Sequence, residues 1–61
     1  MSPQMLPIAI SAEALLDKAM RCRRLARHST DRRVVETLTE LASECEARAA
    51  ELRAVLKTAV A

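Results

Sequence analysis

Cys22, His28 and Cys45 are the only side chains in this sequence suited to holding a soft metal or serving as a thiol nucleophile with its base. A structural zinc site takes four such ligands. Cys22 and His28 are six residues apart, a spacing that points them to different sides of a helix. Carboxylates at Glu36, Glu40 and Glu44 recur every four residues, the ordinary pattern of a solvated helix face. A nucleophile needs a base within reach and an oxyanion site, and the single histidine lies among arginines. No glycine is present, so no glycine-rich loop can cradle phosphate. The residues therefore point away from an enzyme and imply no metal and no cofactor.

The other chemistry on offer is charge. The stretch "RCRRLARHSTDRR", residues 21 to 33, carries six arginines and a histidine against one acid. From Lys18 to Arg33 there are seven Lys and Arg residues. From Val34 to Glu51 there are five glutamates and one arginine. Net charge is only +2, so it is the distribution that calls for a cause. Two causes compete. The basic half can lie against the acidic half within one fold, or the cations can grip phosphate.

The elements that position these groups are helical. Ala, Leu, Arg and Glu dominate and favour helix. Both prolines lie in the first seven residues and there is no aromatic, so the core must be built from Leu, Val, Ile, Met, Ala and Cys. In the first ten residues, "MSPQMLPIAI", Pro3 and Pro7 bias the positions before them toward extended backbone. Leu6, Ile8 and Ile10 alternate, which predicts an extended N-terminal arm over 1–10, either a frayed terminus or, as favoured by the cost of bare Ile and Leu in water, docked on a helix. Ser11 then caps a first helix over about 12–28, with Glu13 in its first turn. Leu15, Ala19, Cys22 and Ala26 form its apolar face, which Ala12 and Leu25 extend. "HSTD", residues 28–31, breaks the helix, because Ser, Thr and Asp compete for backbone hydrogen bonds. Thr30 or Asp31 caps a second helix over about 31–58. Its stripe is Val34, Leu38, Leu41, Cys45, Ala49, Leu52, Leu56 and Ala59, with Ala42 beside it.

Two helices joined by so short a turn run antiparallel. Folding about Ser29 and Thr30 pairs residues whose numbers sum to about 60: Ala26 with Val34, Cys22 with Leu38, Ala19 with Leu41, Leu15 with Cys45. The expected fold is all-α, a two-helix hairpin over 11–61 behind the arm. The same register sets Lys18 and Arg21 beside Glu40 and Glu44, and Arg24 level with Glu36. It leaves Arg23, Arg27, His28, Arg32 and Arg33 as a basic patch at the turn end. It also puts Cys45 roughly 10 Å along the axis from Cys22, too far for a disulfide, which needs Cα atoms within about 7 Å. Both cysteines are expected to be small buried hydrophobes.

The stretch from Asp17 to Leu52 resembles a group of short bacterial helical-hairpin proteins. The shared motifs are Arg-Cys-Arg-x-Leu-Ala at Arg21 to Ala26, Thr-Asp at Thr30 and Asp31, and Leu-x-x-Leu-Ala-x-Glu-x-Glu at Leu38 to Glu46. Cys45 stands where that group often has an aromatic, and Arg32 where it often has proline. The resemblance implies a helical hairpin and no particular activity.

A chain of 61 residues forms one small domain and buries only about 60% of its unfolded surface. It needs a staple or a partner. Leu16, Met20 and Val35 lie off the main stripes on one flank, the candidate face for a second copy. The expected function is protein–protein interaction, as an adaptor or small regulator built from a homodimeric four-helix bundle, with a further protein partner that the sequence does not name. The alternative is a hairpin that binds nucleic acid through its turn-end patch, in the manner of the plasmid copy-number regulator Rop. It ranks second because no aromatic is available for base stacking. The start lacks a basic segment of the secretory type and no apolar run reaches the ~20 residues of a membrane helix, so the expected location is cytoplasmic, with thiols reduced.

Overall fold

The computed structural model describes the backbone of residues 5–60 and the side chains of residues 10–59. Two helices account for almost all of it. Helix α1 runs Met5–His28 and helix α2 runs Arg32–Val60. They lie side by side as an all-α hairpin of 45 × 19 × 12 Å.

Ser29, Thr30 and Asp31 make the turn. The Ser29 backbone N–H donates to the Ala26 carbonyl at 3.3 Å, closing the end of α1. The Ser29 hydroxyl accepts from the Asp31 N–H at 3.2 Å. Asp31 is the N-cap of α2: its Oδ1 accepts from the N–H of Arg33 at 2.9 Å and of Val34 at 3.4 Å. Two of the donors that open every helix without a partner are thereby satisfied. The expected break at "HSTD" holds, with Asp31 rather than Thr30 as the cap.

The N-terminal side differs from expectation. α1 begins at Met5, so residues 5–10 are helical and Ser11 is an exposed residue within the helix, not its cap. Glu13 is correspondingly past the first turn. Pro7 falls in that turn, where its missing N–H would have had no intrahelical partner in any case. A proline there starts a helix as readily as it extends an arm. Pro3 and the side chains of Leu6 and Ile8 lie outside the described residues.

The core is narrow. Among the described residues, the buried hydrophobics are Ala12, Ala19, Cys22, Ala42, Cys45 and Ala49, and no large side chain is fully buried. Leu15, Leu38 and Leu41 are half-buried against the cluster of Ala19, Cys22, Ala42 and Cys45. The register agrees with residue numbers summing to about 60. The stripes needed three corrections. Val34 is 42% exposed while Val35 is half-buried, so Ala26 shares its groove with Val35 instead of Val34. Leu25, expected to extend the buried face, is 57% exposed, and Ala59 is exposed as well. The reason is geometric. Two helices touch along a single line, so full burial goes to the small residues on that line, and the flanking rows stay half open.

Candidate interaction surfaces

Two flanks border the contact line. Each is a pair of rows at helical spacing, one row from each helix. On the first flank, α1 contributes Leu15, Lys18 and Leu25. α2 contributes Val34, Leu41 and Arg48, seven residues apart. Leu15, Lys18, Leu41, Glu44, Cys45, Arg48 and Glu51 line one continuous groove there. On the second flank, α1 contributes Leu16, Met20, Arg23 and Arg27, and α2 contributes Val35, Thr39 and Glu46. Arg23, Ala26, Arg27, Val35 and Thr39 line its groove.

Arg23 and Glu46 form an ion pair across the second flank. Nη2 donates to Oε1 at 2.7 Å and Nε to Oε2 at 3.0 Å, a bidentate fork. Charge-assisted bonds of this geometry are the strong ones, although both side chains remain about 41–44% exposed. The hydrogen bond from Arg23 holds the Glu46 carboxyl below its ordinary range against an opposing loss of hydration, with the Arg23 charge adding to the lowering. The same bond and charge raise Arg23. A second, longer contact joins Arg32 and Glu36 at 4.0 Å within α2.

These pairs replace the expected ones. Among the described residues, Lys18, Arg21 and Arg24 form no ion pair with Glu40, Glu44 or Glu36. Arg23, expected to be a free member of the turn-end patch, is the residue that is neutralised. Matching residues by height misses this. Each Cα–Cβ bond tilts toward its own helix N-terminus. In an antiparallel pair, Arg23 therefore leans away from the turn and Glu46 leans toward it. They meet although their backbones are offset by roughly 13 Å along the axis.

Of the rest of the patch, Arg27 shares the second groove with Arg23. Arg27 and His28 occupy the last turn of α1, Arg32 and Arg33 open α2, and all four are exposed. The three residues of the candidate dimer flank do share a face. Leu16 and Val35 are half-buried and Met20 is 63% exposed, but the Arg23–Glu46 pair runs across that face beside them. Both thiols, Cys22 and Cys45, are free and buried. Among the described residues, no three His, Cys, Asp or Glu side chains come together as a metal-binding group, and no helix is long and apolar enough to cross a membrane.

Compared with protein-family models, curated proteins and solved structures, the chain matches none.

Proposed function

We propose that the chain is a protein–protein interaction module, an adaptor or small regulator that works as a homodimer of helical hairpins forming a four-helix bundle. One observation carries this reading: among the described residues the buried side chains are all alanine or cysteine, while Ile10, Met20, Leu25, Val34 and Val55 are each more than 40% exposed. Fixing the backbone costs about 1–2 kcal/mol per residue. A single seam of methyl and thiol groups offsets little of that. Burying a leucine or valine contributes about 1.5–3 kcal/mol; Leu15, Leu38 and Leu41 are only half-buried in the hairpin, and a second surface would complete their burial. The likeness of Asp17 to Leu52 to short bacterial hairpin proteins belongs to the same proposal and assigns no activity. A cytoplasmic setting belongs to this reading, and free buried thiols are compatible with it. Sedimentation equilibrium at micromolar concentration is expected to give a dimer mass. A well-folded monomer would overturn the reading.

Nucleic-acid binding is the second reading, favoured by the exposure of Arg27, His28, Arg32 and Arg33 at one end of the molecule. Against it stand the net charge of +2 and the row of glutamates along α2, which repels phosphate over most of the length. Binding of duplex DNA and of structured RNA, measured at two salt concentrations, separates the two. Weak binding that fades as salt rises is expected, as for any small basic patch. Sub-micromolar affinity at physiological salt, abolished by neutralising Arg27, Arg32 and Arg33 together, would reverse the order.

A further inference from the structure

We infer that the second copy seats on the first flank, over Leu15, Lys18, Leu25, Val34, Leu41 and Arg48, and not on the flank of Leu16, Met20 and Val35. This inference rests on the homodimer reading and adds the face. Three observations separate the two flanks.

The first is apolar area. Leu25 and Val34 are 57% and 42% exposed and sit at nearly the same height, one on each helix. They continue into Leu15, Leu38 and Leu41, half-buried against the core, so a covering surface would close over the core directly. Val55, 52% exposed, lies seven residues beyond Arg48 on the same row of α2. On the second flank, Met20 is the one large apolar side chain more than half exposed among the described residues.

The second is ionic state. The second flank carries the Arg23–Glu46 fork, whose charges already satisfy one another. Covering it strips water from two ions, a cost that regularly exceeds the gain between them. No ion pair occupies the first flank among the described residues.

The third is self-complementarity. A two-fold interface places one patch against itself, so the patch must complement its own image. Lys18, Glu44, Arg48 and Glu51 line the first groove: two cations and two anions, none paired among the described residues. Such a set can pair with a copy of itself. In the second groove Arg23 is already paired with Glu46 and Arg27 is the cation left over, with no free anion among the groove's residues for its image to meet.

Sedimentation equilibrium on four chains tests the face: wild type, Leu25→Glu, Val34→Glu and Met20→Glu. All three substitutions fall at exposed positions, and circular dichroism follows helix content. A variant that loses helix on dilution and regains it on concentration is scored as dissociating. The expected result is a dimeric wild type, a dissociation constant raised by about tenfold or more in Leu25→Glu and Val34→Glu, and little change in Met20→Glu. Lys18→Glu should also weaken the dimer, with Lys18→Glu combined with Glu44→Lys recovering part of the loss and raised salt shrinking the difference. Dissociation by Met20→Glu, or none by Leu25→Glu and Val34→Glu, overturns the choice of face and leaves the homodimer standing. A monomeric wild type overturns both.

Discussion

Glu46 shows what a single carboxylate does in a fold with so little interior. Its ionised form is favoured by the Arg23 guanidinium, so its acid strength is greater in the folded chain than in the unfolded one. The pair therefore supports the fold above the unfolded-state value, and that support is lost as pH falls through the lowered, folded-state value. Glu46→Gln keeps the shape and removes the charge. Urea unfolding of the two proteins should differ at neutral pH, with the wild type more stable, and the gap should close on acidification below the usual carboxylate range. A gap of the same size at every pH would mean that Glu46 acts through packing and not through Arg23.

At the scale of the helices, the contact line is alanine at Ala12, Ala19, Ala42 and Ala49, each nearly sealed from solvent. Interiors are close-packed and penalise added volume. Ala42→Leu should destabilise by about 1–3 kcal/mol by forcing the helices apart. Leu38→Ala removes a side chain that is only half-buried and should cost about 2 kcal/mol, the low end for a lost leucine. Thr39→Ala, exposed, should sit near zero. Thermal melts of the three, ranked otherwise, would place the seam elsewhere. Much of this was legible from spacing alone. The steps of three and four through Leu15, Ala19 and Cys22 and through Leu38, Leu41 and Cys45, folded about "HSTD", give both helices, their register and the turn. The start of α1 was not legible, because Pro7 suits an extended arm and a first helical turn equally well. Val34 and Leu25 were misplaced because an apolar stripe in sequence is wider than the line along which two cylinders touch. The Arg23–Glu46 pair was hidden because side-chain tilt, not backbone height, brings it together.

The whole molecule is a rod held shut at one end by the capped turn, with the basic half laid along the acidic half. That shape gives the two buried thiols different positions along a zipper. Cys22 lies six residues before the end of α1, and Cys45 thirteen residues after the start of α2, so Cys45 is the farther from the turn. Local opening in proteins is graded, starting where the fewest contacts hold the chain. Opening from the free end reaches Cys45 first, and reaches Cys22 only when the hairpin has come apart nearly to its turn. Under native conditions an alkylating reagent should therefore modify Cys45 faster than Cys22, and both far more slowly than in urea. The ratio of the two rates, read by peptide mass spectrometry, is a kinetic ruler for how far the rod unzips before it unfolds. A Cys22 that reacts first would mean that the molecule opens from the turn.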